Sequence, residues 1–190
     1  MFTGIIEKTG VIKKIEPRYL IIGVENFLSD LKIGDSVAVN GVCLTIIKLN
    51  KNDFKVEIMP ETLHLTNFFY LKQGEAVNLE KSLKAGDRLD GHFVLGHIDG
   101  VGKVIKIKKD GQFIDLIIKA PTNLRKYIAK KGAIAVNGIS LTIAEDLKNS
   151  FRVALITRTR EVTNLKNIKE GDLVNLEIDI LARYLEKLSK

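Results

Sequence analysis

The sequence is poor in the residues that build disulfides, metal centres and thiolate clusters. It contains one cysteine, Cys43, and three histidines, His64, His92 and His97, among 190 residues. A single cysteine excludes an internal disulfide and is typical of proteins in a reducing compartment, so we expect a cytoplasmic protein. Since there is neither an HExxH motif nor a second cysteine, we expect no metal site.

Motifs for nucleotide cofactors and serine hydrolases are also missing. No strand-like segment is followed by GxGxxG, and neither the GxxxxGKS/T phosphate loop nor GxSxG occurs. No apolar run approaches the roughly 18–20 residues that a membrane span needs, and the first residues do not resemble a secretion signal. With 45% apolar and 28% charged residues, the composition predicts a globular protein with no membrane association.

Basic residues outnumber acidic ones by 30 to 23, which gives a net charge of +7. Such a surplus is compatible with a nucleic-acid-binding barrel. The lysines are dispersed, however, and few aromatic residues lie between them to stack bases. A solvated basic surface is the favoured interpretation, so we expect no nucleic acid among the partners.

An internal repeat organises the chain. Three blocks of the first half recur in the second half, in the same order and at a constant offset of 97 residues. They are residues 39–46 with 136–143, Thr62, Thr66 and Asn67 with Thr159, Thr163 and Asn164, and residues 74–80 with 171–177. Three matches at one spacing indicate a duplication. An earlier block, residues 4–7, matches 96–99 at an offset of 92, so the second half has 97 − 92 = 5 extra residues, which we expect around residues 121–131.

Each unit alternates short β-branched runs with turn signals. In the first unit the runs cover residues 4–15, 20–24, 36–39, 43–49, 54–59 and 76–80. Runs of this length and spacing predict an all-β barrel or sandwich. The Asn40-Gly41 and Asn137-Gly138 pairs predict hairpin turns in which glycine supplies a positive φ. Residues 26–33 and their counterparts, 121–131, predict a short helix between strands.

Two units of this size can each bury a core, so we expect two barrels joined near residues 84–91. The predicted divisions are an N-terminal barrel over residues 1–86, a C-terminal barrel over 87–180 and a terminal helix over 181–190. In that helix Leu181, Tyr184/Leu185 and Leu188 form an apolar stripe. The stripe either covers its own barrel or meets a partner chain, and the pattern alone leaves both open.

Candidate chemistry rests on polar residues inside apolar β segments. Cys43 and Thr45 lie at positions i and i+2, as do Ser140 and Thr142, so each pair faces one side of a strand. A cysteine in an apolar run is more often an inert core residue than a nucleophile. Strand hydroxyls most often bond to backbone groups. Taken alone, the local sequence favours structural roles for these four residues.

A histidine and an aspartate each have two interpretations. His97 follows Gly96, and glycine there indicates close backbone approach to a ligand or a bend of the barrel. Histidine suits proton transfer near neutral pH, although a structural histidine is a strong alternative. Asp179 ends the last predicted strand, where a cap of the terminal helix explains it as well as a catalytic role does.

Seven short motifs combine along the chain. They are MFTGIIE at the start, NGVCLT at 40–45, MPET at 59–62, GHF at 91–93, GHIDG at 96–100, NGISLT at 137–142 and NLEID at 175–179. In this order and spacing they resemble riboflavin synthase over nearly the whole chain. The sequence departs from the usual family pattern at Asp90, Leu95 and Thr157-Arg158.

The resemblance implies an all-β fold of two tandem, similar six-stranded Greek-key β-barrels with a C-terminal α-helix. It implies a homotrimer assembled around those helices, in which the productive pair of barrels comes from neighbouring subunits. The implied reaction transfers a four-carbon unit between two 6,7-dimethyl-8-ribityllumazine molecules and gives riboflavin and 5-amino-6-ribitylamino-pyrimidinedione. No cofactor is expected, and lumazine synthase is suggested as a further partner.

The resemblance also implies which side chains carry the chemistry. The catalytic candidates are Cys43, His97, Ser140, Thr142 and Asp179. The substrate-binding candidates are Phe2, Thr3, Gly4, Ile5, Ser36, Val39, Thr45, Met59, Glu61, Thr62, Lys131, Asn137, Ile156, Thr157 and Thr159. Ser140, Thr142 and Asp179 are assigned to activation or proton transfer at one ligand. His97 and Cys43 are assigned to the other ligand.

A lumazine- or flavin-binding antenna protein is the main alternative, because it would share the fold without catalysis. Such a protein binds one chromophore and is expected to lose polar residues in one half. Both halves retain theirs, and the repeat pairs Cys43 with Ser140 and Ile5 with His97, so the barrels offer different chemistry to identical ligands. This retention favours the enzyme.

Overall fold

Alternation of buried and exposed side chains explains why most of this chain forms strands. In β4 (Val42–Leu49), Val42, Leu44 and Ile46 are buried whereas Thr45 is exposed, which is the two-residue period of a strand with one face on a core. A computed structural model of the chain describes residues 1–111 and 113–189. Every named strand in this part pairs antiparallel with its neighbours.

The first half forms a closed barrel of six strands. They are β1 (Lys8–Glu16), β2 (Tyr19–Gly23), β3 (Ser36–Val39), β4 (Val42–Leu49), β5 (Asp53–Glu57) and β6 (Ala76–Lys81). Their order around the barrel is β1-β2-β5-β4-β3-β6, and β6 closes the sheet on β1. Helix α1 (Pro60–Leu65) and a 3₁₀ turn (Asn67–Tyr70) connect β5 to β6.

The second half repeats this connectivity. Its strands are β7 (Gly100–Asp110), β8 (Phe113–Lys119), β9 (Ala133–Val136), β10 (Ile139–Leu147), β11 (Ser150–Leu155) and β12 (Leu173–Ile178). They close in the equivalent order β7-β8-β11-β10-β9-β12, with helix α2 (Thr157–Val162) and a 3₁₀ turn (Asn164–Asn167) before β12. The prediction of two similar six-stranded barrels is confirmed.

Each barrel is filled by its own apolar core. Phe54 and Val77 lie in the first core, and their repeat partners Phe151 and Val174 lie in the second; all four are fully buried. A third, smaller cluster lies between the barrels and contains Phe2, Ala38, Val94 and Ala135, with Cys43 packed against it. The chain therefore buries apolar surface within each barrel and also where the two barrels meet.

The extra residues of the second half lie mostly in a longer β7–β8 hairpin. Ile12 pairs with Ile22, and their counterparts are Val104 and Ile118. The offset therefore grows from 104 − 12 = 92 to 118 − 22 = 96 across the hairpin, which accounts for four of the five residues. The expectation that they lie around residues 121–131 was wrong for these four.

Of the two short helices predicted between strands, the first was wrong and the second is confirmed as a 3₁₀ helix. Residues 26–33 form bends and turns rather than a helix, whereas residues 121–131 contain a 3₁₀ helix at Thr122–Tyr127. Phe27 and Leu28 are nevertheless buried, and no regular helix is needed to insert them into the first core. The run predicted as a strand from residue 4 begins at Lys8, because residues 2–5 leave the barrel.

Helix α3 (Ile180–Leu188) begins at a polar cap. The Oδ1 atom of Asp179 accepts a hydrogen bond from the backbone N–H of Leu181 at 3.0 Å, so the predicted cap is confirmed. The apolar side chains of α3 are exposed, 69% for Leu185 and 83% for Leu188. Lys126 and Tyr127 instead contact Glu186. The apolar stripe of α3 therefore does not pack against the barrel of its own chain.

A network of asparagine side chains joins the two barrels. The Nδ2 atom of Asn78 donates to the carbonyl oxygen of Asn137 at 3.0 Å, and Oδ1 of Asn78 accepts from the backbone N–H of Asn164 at 2.7 Å. The repeat partners Asn175, Asn40 and Asn67 make the equivalent bonds at 2.9 and 2.7 Å. The duplicated Asn-Gly blocks therefore meet each other across the interface.

The Asn-Gly pairs form the predicted turns. Gly41 and Gly138 have φ of +79° and +78°, and Asn40 and Asn137 also lie at positive φ. A Cβ atom on Gly41 would lie 2.6 Å from the backbone nitrogen of Gly138. Glycine is required at both positions because of the turn conformation and because two backbones approach closely.

No helix of the described residues is long and apolar enough to span a membrane.

Candidate active site

The predicted polar residues of β4 and β10 lie on the outer faces of the barrels. Cys43 and Thr45 alternate with the buried residues of β4, and Ser36 of β3 is the cross-strand partner of Thr45. In the second barrel, Ser140 and Thr142 alternate in the same way along β10. The prediction that each pair shares one face is confirmed, and that face is the one turned away from the core.

Residues 2–5, here called the first strap, run from the first barrel across to the second. The backbone N–H of Ser140 donates to the carbonyl oxygen of Gly4 at 2.8 Å. Gly4 has φ of +79°, and a Cβ atom there would lie 2.7 Å from the Cβ of Ser140. The strap can therefore reach β10 only because this position is glycine.

Residues 94–97, the second strap, make the equivalent contact with the first barrel. The backbone N–H of Cys43 donates to the carbonyl oxygen of Gly96 at 2.9 Å, and a Cβ on Gly96 would lie 2.5 Å from the Cβ of Cys43. The glycine before His97 is thus explained by close approach to β4. The two straps also pair with each other, since Phe2 and Val94 exchange backbone hydrogen bonds of 2.7 and 3.1 Å.

Each strap is anchored by a buried glutamate that sequence analysis missed. Glu80 of β6 accepts hydrogen bonds from the backbone N–H groups of Thr3 and Gly4, at 2.6 and 3.1 Å. Glu177 of β12 accepts from those of Leu95 and Gly96, at 2.6 and 2.9 Å. Their signal in the sequence is the glutamate that ends each NLE block of the repeat.

His92 is a further residue, besides the two glutamates, that sequence analysis left out of the site. Its Nδ1 atom lies 2.7 Å from the Oγ of Ser140, and its Nε2 atom is buried with no hydrogen-bond partner among the described residues. Burial lowers the pKa of His92, and the negative charge of Asp179 opposes that shift. The structure thus gathers Ser140, His92 and Asp179 at one site.

Glycine also explains how His92 reaches this site. A Cβ atom on Gly91 would lie 2.0 Å from the carbonyl oxygen of Thr3 and 3.0 Å from the Cβ of Ser140. The backbone N–H of His92 donates to that same carbonyl of Thr3 at 3.1 Å. The GHF motif therefore marks a close packing of linker, first strap and β10. It was the signal available for His92.

The predicted substrate-binding residues fall into two groups. Phe2, Thr3, Gly4, Val39 and Asn137 are buried, and Asn137 belongs to the asparagine network. The remainder are all at least partly exposed, and six of them lie at or within α1 and α2. Besides those already described, they are Ile5, Met59, Glu61, Thr62, Lys131, Ile156, Thr157 and Thr159.

Two exposed apolar side chains stand at equivalent places beside the outer faces. Met59 and Ile156 are the cap residues that precede α1 and α2, and they are 66% and 55% exposed. An exposed apolar residue at both copies of one repeat position offers contact area for a flat, partly apolar ring.

In the part of the chain that the structure describes, no group of three or more His, Cys, Asp or Glu could hold a metal ion.

Comparison with known proteins matches both halves to one family. Residues 3–82 and 95–179 each match the lumazine binding domain. The riboflavin synthase of Photobacterium phosphoreum is 42% identical over 193 residues, covering 99% of this chain and 88% of that protein. The riboflavin synthase of Bacillus subtilis is 38% identical over 189 residues, covering 97% and 88%.

Solved structures agree with this relationship. LumP complexed with riboflavin has a TM-score of 0.88 and 28% identity, covering 94% of this chain and 99% of that one. LumP complexed with 6,7-dimethyl-8-(1'-D-ribityl) lumazine has a TM-score of 0.82 and 26% identity, covering 93% and 98%. Since both halves match and the relatives extend over nearly the full chain, the chain belongs to the riboflavin synthase family and carries two lumazine-binding domains.

Proposed function

We propose that this chain is a riboflavin synthase. It transfers a four-carbon unit between two molecules of 6,7-dimethyl-8-ribityllumazine and releases riboflavin and 5-amino-6-ribitylamino-pyrimidinedione. The observation that carries the proposal is the match of both halves to lumazine-binding domains, combined with full-length relatives at about 40% identity that are riboflavin synthases.

Two binding domains with unequal polar groups fit a reaction between identical molecules. One lumazine must lose a proton from an activated methyl group, and the other must present an electrophilic ring carbon. Holding both rings in contact makes this step effectively unimolecular, which can contribute about 7–11 kcal/mol in favourable cases. The side chains then have to move protons and stabilise ring charge.

The second barrel offers the groups for proton transfer. His92 holds the Ser140 hydroxyl by a 2.7 Å hydrogen bond, and the charge of Asp179 acts on the same histidine. We assign Ser140, Thr142 and Asp179 to activation of one ligand, with His92 orienting the serine. Cys43 and His97 serve the other ligand, at the first barrel.

Exposure of the outer faces supports a site completed by another subunit. Thr45, Thr142 and His97 are exposed in the single chain, whereas two reacting rings must be shielded from water. We propose a homotrimer that assembles through the uncovered stripe of α3. The first barrel of one subunit then faces the second barrel of its neighbour.

The test of the function is incubation of the purified protein with 6,7-dimethyl-8-ribityllumazine alone. Riboflavin should form, and its absorbance and fluorescence report the rate. Ser140→Ala should reduce turnover by about 100-fold or more, because it removes a positioned proton carrier, whereas the exposed Ser29→Ala should behave as wild type. Absence of riboflavin with the wild-type protein would refute the proposal.

The interchain site has its own test. Chains carrying Cys43→Ala are co-expressed with chains carrying Ser140→Ala, so that some trimers pair an intact first barrel with an intact second one. Recovery of activity is expected. Failure in verified mixed trimers, despite strong loss in each parent, would place both barrels of a working site in one chain.

A binding protein without catalysis is the second candidate, because LumP with bound riboflavin has a closely similar fold. It predicts ligand binding without product, so the lumazine incubation separates the two. The synthase is favoured because synthase relatives are 38–43% identical to this chain, whereas the LumP structures are 26–28% identical. We further propose a cytoplasmic setting, consistent with the single free cysteine, and lumazine synthase as the partner that supplies the substrate.

A further inference from the structure

Two carboxylates lie in the interface without a cation to balance them. Glu80 and Glu177 are 3% and 4% exposed, and neither forms an ion pair in the described residues. A buried carboxylate is costly unless donors satisfy its oxygens. The donors here are the backbone N–H groups of the straps, so the cost of burial is offset only while each strap stays in place.

The connections made by these glutamates cross from one barrel to the other. Glu80 belongs to the first barrel and holds the first strap, whose Gly4 carbonyl bonds to Ser140 of the second barrel. Glu177 belongs to the second barrel and holds the second strap, whose Gly96 carbonyl bonds to Cys43 of the first barrel. Each carboxylate therefore acts on residues of the opposite barrel.

We propose that Glu80 and Glu177 are positioning residues, each of which fixes the strap that completes the site on the opposite barrel. Glu177 thereby sets the placement of Gly96, and with it the adjacent His97, in the strap that bonds to Cys43, and Glu80 sets the placement of the first strap against Ser140. Their link to catalysis rests on the proposed function, whereas their hold on the straps does not.

The two anchors differ by one hydroxyl. The Oγ1 atom of Thr3 donates to Glu80 at 2.8 Å, and the repeat partner of Thr3 is Leu95, since 95 − 3 = 92. Glu177 therefore has no hydroxyl donor at this place. Thr3 thus gives the first anchor a side-chain donor that the second anchor lacks.

The pKa of both carboxyl groups is raised in the folded chain. Burial raises the pKa of Glu80, and the nearby charge of Glu7 adds to the rise, while the Thr3 and Gly4 donors oppose it. Burial, with a contribution from Asp99, raises the pKa of Glu177 to about 7 against the backbone donors of Leu95, Gly96 and His97. Asp99 is itself paired with Arg183 of α3. A protonated carboxyl loses an acceptor, so the second strap is expected to loosen as the pH falls below neutrality.

Cys43 is the only cysteine and gives a direct probe of the second strap. We would measure its alkylation by iodoacetamide in the full-length protein at pH 8. Glu177→Gln should accelerate alkylation on the order of ten-fold, because the amide group presents a donor to the Gly96 N–H and releases the strap. Glu80→Gln should accelerate alkylation clearly less than Glu177→Gln does, since the first strap bonds to Ser140 of the other barrel and reaches Cys43 only through Phe2 and Val94.

A matched control is Glu170→Gln. Glu170 also accepts a backbone hydrogen bond, from Ile107 at 2.8 Å, but it is exposed and holds no strap. In the Glu170→Gln variant, the rate of Cys43 alkylation and the rate of riboflavin formation should equal those of wild type. An acceleration by Glu80→Gln as large as that by Glu177→Gln, or none by Glu177→Gln, would overturn the crossed arrangement.

Leu95→Thr tests the same idea by adding a donor rather than removing an acceptor. The new hydroxyl should lower the pKa of Glu177 by about one unit, as expected for one further hydrogen bond to a carboxylate. Relative to wild type, this variant should slow Cys43 alkylation between pH 6 and 7 and match it at pH 8. In contrast, the alkylation rate of Glu177→Gln divided by that of wild type should be largest at pH 8 and approach one at pH 6.

These ratios separate positioning from a general loss of stability, which would change alkylation without this pH signature. Identical pH profiles for wild type, Leu95→Thr and Glu177→Gln would refute the proposal. A wild-type protein that forms no riboflavin would refute the proposed function instead. The alkylation measurements would still decide whether the glutamates hold the straps.

Discussion

Replacing Asn78 with alanine should weaken the contact between the two barrels more than any single surface change. Asn78 is fully buried and makes three hydrogen bonds to the second half of the chain. Its Nδ2 atom donates to the carbonyl oxygen of Asn137 and to the side chain of Asn164, both at 3.0 Å. Its Oδ1 atom accepts from the backbone N–H of Asn164 at 2.7 Å. Alanine removes all three bonds.

The expected loss follows from these contacts. A net contribution of about 1 kcal/mol per hydrogen bond gives about 3 kcal/mol. The carbonyl of Asn137 also loses a buried donor, which adds about 1–2 kcal/mol when no replacement is available. We therefore expect the free energy of unfolding to fall by about 3–5 kcal/mol, a large part of the stability of an ordinary domain.

The measurement is urea unfolding followed by circular dichroism and by tyrosine fluorescence. Asn78→Ala should lower the midpoint and separate the unfolding of the two barrels into distinguishable steps, because their shared interface is weakened. The repeat-related Asn175→Ala should behave similarly, and the exposed Asn50→Ala should change the free energy by less than about 0.5 kcal/mol. A loss for Asn78→Ala no larger than that of Asn50→Ala would refute the reasoning.

Four further outcomes are expected. Cys43→Ser should keep the fold and reduce turnover, because it changes acidity and polarizability but not size, and wild-type rates would remove Cys43 from the active set. Truncation after Ile180 should shift sedimentation from trimer toward monomer, whereas an unchanged trimer would assign assembly to the barrels. Residues 1–86 alone should fold and bind riboflavin but form none, since the Ser140 site is absent; turnover by this fragment would contradict the division of labour. The fourth outcome concerns Glu177, whose pKa rises from 4.5 to about 7 on folding, so the folded state binds more protons than the unfolded state in this window. The free energy of unfolding should therefore fall as the pH rises from 4.5 to 7, by about 3 kcal/mol more in wild type than in Glu177→Gln. Parallel curves of stability against pH for the two proteins would exclude this titration.

Much of the fold could be predicted because its signals are local. The two-residue period of β4 determines which side chains enter the core, and this same period places Cys43 and Thr45 together on the outer face. Asn40-Gly41 forms its turn for a reason that two adjacent residues contain. The cap at Asp179 was predictable in the same way, from a carboxylate placed just before an amphipathic stretch.

The sequence by itself determined the duplication, the strand faces, the turns and, through its motifs, the family. Only the tertiary structure decided that His92 contacts Ser140, that each strap crosses to the opposite barrel, and that Glu80 and Glu177 hold these straps. These contacts join residues 48, 77 and 81 positions apart in the chain, and no local periodicity reports which of many such pairs will meet. They form because closing two barrels and packing them together brings the straps between their outer faces, where buried carboxylates and backbone N–H groups must satisfy one another.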